Sequence, residues 1–120
     1  MKENYQEKAK ELFGNSCYLY CLAYLTGLRQ FKEMTKQILE WWYAGYCNDD
    51  GFVNSPHKCI GAKDVKIVPY KPSSNYQIVC WEYNKGTHFV VMRDNKVVFD
   101  SSGESNTVKF GKIKNAREFI

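Results

Sequence analysis

Five side chains could do thiol chemistry, namely Cys17, Cys21, Cys47, Cys59 and Cys80. Only one stands where a helix would activate it. Residues 14–27 read GNSCYLYCLAYLTG, an almost uncharged run bracketed by two glycines. Asn15 and Ser16 are good helix-capping residues, which places Cys17 on the first turn of the helix that follows. The positive end of a helix favours a thiolate, the nucleophilic form of cysteine. Cys21 falls one turn further in, on a helix apolar on nearly every face, and is expected to be a buried, inert thiol. The rival reading of Cys17 is a small apolar side chain that fills space.

A nucleophile needs a base, and the base needs an orienting group. There are two histidines. His57 falls in the loop CNDDGFVNSPHKC. His88 opens the strand-like run THFVVM, and the next such run, KVVFDSS, ends in Asp100. Metal chemistry is a weaker reading, because no C-x-x-C pair occurs even though His57 and Cys59 follow Cys47 closely. Asn48-Asp49-Asp50-Gly51 resembles the start of a calcium loop but lacks the acidic residue that should close it, so a plain Asp-Gly turn is expected. No cofactor is expected.

These residues need elements to position them. A chain of 120 residues is expected to form one domain. Its apolar content of 44% and charged content of 25% suit a soluble globular protein, and its 16% aromatic content predicts a core rich in rings. Tyr5, Ala9, Leu12 and Phe13 recur at helical spacing, with Gly14 to end that helix. The second helix runs from about Cys17 to Thr26. A third, marked by Phe31, Met34, Ile38, Leu39 and Trp42, ends near Gly45. Strands are expected over Val65–Tyr70, Tyr76–Tyr83, His88–Arg93, Val97–Asp100 and Ala116–Ile120, with Pro69 placing the first at a sheet edge. Helices followed by antiparallel strands make an α+β domain.

The His88-to-Asp100 hairpin decides whether those two side chains share a face. A two-residue turn at Asp94-Asn95 sets Phe89 opposite Asp100 and sends His88 and Asp100 to opposite faces. A three-residue loop, Arg93-Asp94-Asn95, pairs Val91 with Val97, Val90 with Val98, Phe89 with Phe99 and His88 with Asp100. Because it matches apolar with apolar, the second register is the expected one.

The order Cys, His, Asp is that of the papain-like cysteine peptidases. The segment THFVVMRDNKVVFDSSGES resembles the His-to-Asp part of small bacterial members of that superfamily, above all the peptidases that process double-glycine leader peptides. GYCNDDGFVNSP is similar to their connecting loop. The resemblance spans roughly residues 15–102. It implies a papain-like fold, with N-terminal helices and a central buried helix laid on a C-terminal antiparallel sheet. It also implies Cys17 as nucleophile, His88 as general base and acid, and Asp100 as the group that orients the imidazole. The family completes its oxyanion hole with the nucleophile's own N–H and an upstream Gln side chain. Here Glu11 stands six residues before Cys17 and cannot donate, Gln6 lies too far back, and Asn15 is the candidate amide. Leader peptidases have Cys-Gly, whereas Tyr18 follows Cys17 here.

The function these features imply is a thiol-dependent amide hydrolase acting on a peptide or a peptidoglycan stem peptide. The alternatives are a catalytically degenerate papain-like module that binds a protein partner, possibly phage- or plasmid-borne, and a structural domain whose cysteines are all core. The net charge of +4 would favour an acidic wall polymer, while the scattered lysines argue against nucleic-acid binding. No apolar run is long enough for a membrane span, and MKENYQEKAKELF lacks the apolar core of a signal peptide. A cytoplasmic location is therefore expected.

Overall fold

The computed structural model of the chain describes residues 16–103 and 105–120. The helix expected over Tyr5–Phe13, and with it Gln6, Glu11 and Asn15, lies outside the described residues. The first described helix, α1 (Cys17–Leu25), begins at the cysteine singled out above, with Ser16 at its N-cap. The Ser16 carbonyl accepts the N–H of Tyr20 at 2.9 Å, although its hydroxyl makes no capping bond to the helix. Gly27, at a φ of 102°, lets the chain turn away, and the Gly27 N–H returns to the carbonyl of Tyr24. Arg29 adds a second stop by donating Nη1–H to the carbonyls of Tyr24 and Leu28.

Leu19, Cys21, Leu22 and Ala23 of α1 are wholly buried, because the helix is enclosed between a second helix and the sheet. Burying each leucine contributes about 1.5–3 kcal/mol. Helix α2 (Phe31–Tyr43) is amphipathic, presenting Met34, Ile38 and Trp41 at helical spacing to the core. The Tyr20 hydroxyl joins Thr35 Oγ1 at 2.9 Å, which pins α2 to α1. A four-residue helix, α3 (Pro56–Cys59), follows the 47–53 loop.

Five antiparallel strands make the rest: β1 (Val65–Val68), β2 (Gln77–Tyr83), β3 (Gly86–Arg93), β4 (Lys96–Phe99) and β5 (Lys112–Phe119), in the order β1-β5-β2-β3-β4. All five expected strands are present, and β1, which runs into Pro69, is an edge. A short helix, α4 (Asn106–Phe110), joins β4 to β5, with the Ser105 hydroxyl accepting from the Val108 N–H. The sheet is an α+β core with two dressed faces. Ile78 and Val91 point toward α1 and α2, while Val79, Val90, Met92 and Ala116 point the other way, toward Val108. Among the described residues no helix is long and apolar enough to cross a membrane.

The β3–β4 register corrects the expected three-residue loop. The turn has two residues, Asp94 and Asn95, at φ 53° and 62°, and Arg93 pairs with Lys96. Two consecutive left-handed residues make a turn whose twist matches a hairpin, and Asp and Asn tolerate that conformation better than most. The apolar matching that favoured the longer loop is recovered by a bulge. Met92 pairs with Val97 and Val91 pairs with Phe99, so Val98 is the extra residue. One inserted residue changes side-chain parity once. Phe99 therefore joins Val91 on the helix side, stacking on Tyr24 at 4.8 Å, and Asp100 turns to the His88 face.

Candidate active site

β4 ends at Phe99, opposite Val91, and leaves the first five residues of β3, Gly86 to Val90, without a partner on that side. In a hairpin closed by a two-residue turn, the flanking residues exchange backbone hydrogen bonds, and alternate residues do so from there on. Tyr83 and Gly86 flank the β2–β3 turn. Gly86, His88, Val90 and Met92 thus serve β2, and the N–H groups of Phe89 and Val91 face β4. Val91 finds Phe99 there, whereas Phe89 lies past the paired part of β4. The N-terminus of α1 occupies that open edge, where the Phe89 N–H and the Tyr18 N–H both donate toward the Cys17 sulfur. The thiol therefore lies close to the plane of the sheet, so groups from both faces reach it. The Phe89 ring packs on Tyr18 at 4.6 Å on the helix side, and the His88 ring comes from the other side, close enough to the sulfur for each group to shift the other's protonation.

His88 is held from behind. Its Nε2–H donates to Asp100 Oδ1 at 2.7 Å, and the two side chains are only 11% and 6% exposed. This fixes the tautomer and leaves Nδ1 as the ring nitrogen for Cys17. Asp100 is itself anchored, with Oδ1 accepting the Ser102 N–H at 2.9 Å and Oδ2 the Ser105 N–H at 3.3 Å. The N-cap of α4 thus braces the carboxylate that braces the imidazole. Sequence reading missed both α3 and α4, for short helices of four and five residues carry no period to detect; the Ser105 cap was the one signal available for α4.

Protonation follows from this arrangement. Burial alone would push the Cys17 thiol up, but hydrogen bonds with His88, Phe89 N–H and Tyr18 N–H, together with the charge of His88, hold it below its ordinary value. The contact with Cys17 lifts His88 to about 9, burial opposing and the Asp100 bond assisting. Asp100 is held below its usual value, with burial opposing and the His88, Ser102 and Ser105 bonds prevailing. Both shifts run in the direction of a thiolate–imidazolium pair. The other four cysteines go the opposite way, all through burial: Cys21 well up, Cys47 to about 11, Cys59 to about 12, and Cys80 up. Cys17 opens onto a cleft of about 420 Å³, lined by Tyr18, Phe89 and the 50–53 loop.

The remaining candidates lie apart. His57 sits in α3, and its buried Nδ1 has no hydrogen-bond partner among the described residues. In the calcium-like turn, Asp49 Oδ1 accepts from Trp42 Nε1–H, and Asn48 Oδ1 and Asp50 Oδ1 both accept the Phe52 N–H. Those oxygens serve a turn, and among the described residues no group of three or more His, Cys, Asp or Glu could hold a metal ion. Asn15, the candidate oxyanion donor, lies outside the described residues.

One family model, described as "Protein of unknown function, DUF261", matches residues 1–120, so the chain belongs to that family. Comparison with the curated proteins and with the solved structures finds no match.

Proposed function

We propose that the protein is a thiol-dependent amide hydrolase of the papain-like kind, with Cys17, His88 and Asp100 as its catalytic residues and a peptide or a peptidoglycan stem peptide as its substrate. The observation that carries this reading is the His88 ring, coupled to the Cys17 sulfur on one side and bonded on the other to a carboxylate anchored by two backbone amides. The other four cysteines lack such a partner, and burial pushes each of them up, away from the thiolate.

The thiolate sulfur attacks the substrate carbonyl carbon. As the tetrahedral intermediate collapses, the C–N bond breaks and the His88 imidazolium passes its proton to the departing amine. Water then adds to the thioester, giving its proton to the now neutral His88. Carbon–sulfur cleavage frees the acid and restores the ion pair. Asp100 keeps the imidazole oriented throughout. The oxyanion is met by the Cys17 N–H, one of the first-turn amides that have no intrahelical acceptor. The Asn15 side-chain amide is the second donor in this reading, and its replacement by alanine is expected to lower turnover about 100- to 1000-fold.

The test is hydrolysis of a fluorogenic peptide-amide library by the wild type, Cys17→Ala and His88→Ala. Turnover confined to the wild type supports the reading. Equal activity in all three preparations, or turnover surviving Cys17→Ala, refutes it.

A further inference from the structure

We infer that the cleft beside Cys17 selects substrates in which an apolar side chain at the scissile residue is neighboured by a cationic group; this rests on the hydrolase reading above. The walls carry the first half. Tyr18 and Phe89, packed on each other at a tilt, line it together with Phe52 and Val53. Phe52 is 66% exposed although it stands beside a cleft with room for a side chain. An aromatic ring left that open in a cleft lined by two further rings is a surface awaiting apolar cover.

Asp50 carries the second half. Among the described residues that line the cleft, it alone bears a fixed charge. Its Oδ1 accepts the Phe52 N–H at 3.1 Å, a bond within the loop that lines the cleft. Among the described residues no cation pairs with it. Arg117, whose guanidinium lies over the rings of Phe89 and Tyr18, is tied to Asn115 Oδ1 at 2.6 Å and lines a different cavity, with Leu25 and Tyr76. A substrate cation entering with the apolar group would therefore meet the Asp50 carboxylate, and a substrate anion would be repelled by it. The same loop supplies both contacts, so Asp50 and Phe52 are specificity-determining residues, and the substrate class is a peptide with adjoining apolar and basic residues.

The test is binding, read by NMR on the Cys17→Ala and Cys17→Ser proteins, either of which suffices if the other folds poorly. The probes are acetyl-Phe-Lys-amide, acetyl-Phe-Glu-amide and acetyl-Ala-Lys-amide. Phe in place of Ala should tighten binding about tenfold. Lys in place of Glu should tighten it about threefold, the modest gain of an exposed ion pair. Phe52→Ala should erase the first preference and Asp50→Asn the second. Equal binding of the Lys and Glu probes would overturn the inference. So would a Phe preference that survives Phe52→Ala, or the absence of any cleft response to all three probes. Wild-type Cys17 reactivity separates the two ideas. A reactive Cys17 with no discrimination defeats the specificity alone, and discrimination beside an inert Cys17 defeats the hydrolase reading and the substrate role with it.

Discussion

Replacing Cys17 by alanine should lower the pKa of His88 by more than one pH unit, and the reason is specific to the relay. His88 stands at about 9 against an ordinary 6.5. That difference corresponds to about 3 kcal/mol in favour of the imidazolium. The largest contribution is the contact with Cys17, burial acts against it, and Asp100 assists. Without the thiolate, burial and Asp100 are left to oppose one another, and the ring should titrate within about one unit of free imidazole. The pair is coupled, so His88→Ala should raise the Cys17 pKa in return. The assay is an NMR titration of the two imidazole Cε1–H signals, with His57→Gln to assign them. Wild-type His88 should stay protonated to about pH 9, and the alanine variant should lose its proton near neutrality. Sign matters for stability as well. The contribution of His88 is complete below 6.5 and is lost as pH rises through about 9. That of Cys17 is complete above 9 and is lost as pH falls through its lowered native value. The two slopes oppose, so each offsets part of the other where they overlap. An unchanged His88 pKa in Cys17→Ala would refute the reasoning, because it would mean the two side chains do not share a proton equilibrium.

Three further outcomes follow from particular contacts. Asp100→Asn should abolish turnover while the chain still folds, and it should remove one limb of acid denaturation. The lowered Asp100 pKa gives stability that is present above about 3.8 and is lost as pH falls through its native value, which urea unfolding at stepped pH will register. Cys21→Ala should cost on the order of 1 kcal/mol by thermal unfolding and leave Cys17 reactivity intact, since a wholly buried cysteine acts as a small hydrophobe. Gly111→Ala should cost about 1–3 kcal/mol, because an added Cβ would fall 2.2 Å from the carbonyl oxygens of both Glu82 and Thr107, where α4 is pressed against β2.

How much of this was legible in the residues varies with the range of the forces involved. The start of α1 at Cys17 and its burial could be read from the capping residues and the uncharged run, both local signals. The amphipathic α2 and all five strands were likewise legible from period and composition. The β3–β4 register was not. Its end point, Asp100 on the His88 face, agrees with expectation, but the route runs through a left-handed Asp94-Asn95 turn and a bulge at Val98. Neither the turn's match to sheet twist nor the pull of Phe99 toward Tyr24 could be weighed from the hairpin alone. The Asp50–Val53 wall of the cleft was equally hidden, because its place beside Cys17 depends on Trp42 holding Asp49 across a loop. The brace of Ser102 and Ser105 on Asp100 likewise depends on backbone donors, which leave no mark on side-chain pattern.

The most direct test of the central claim is alkylation of the wild-type protein by iodoacetamide at about pH 6, followed by intact mass and site mapping, since only a thiolate stabilised by its surroundings reacts well there. The account predicts one adduct, on Cys17, formed far faster than any on Cys21, Cys47, Cys59 or Cys80, and slowed sharply by His88→Ala. Uniformly slow labelling of all five cysteines, or fast labelling of Cys17 that is indifferent to His88→Ala, would contradict it.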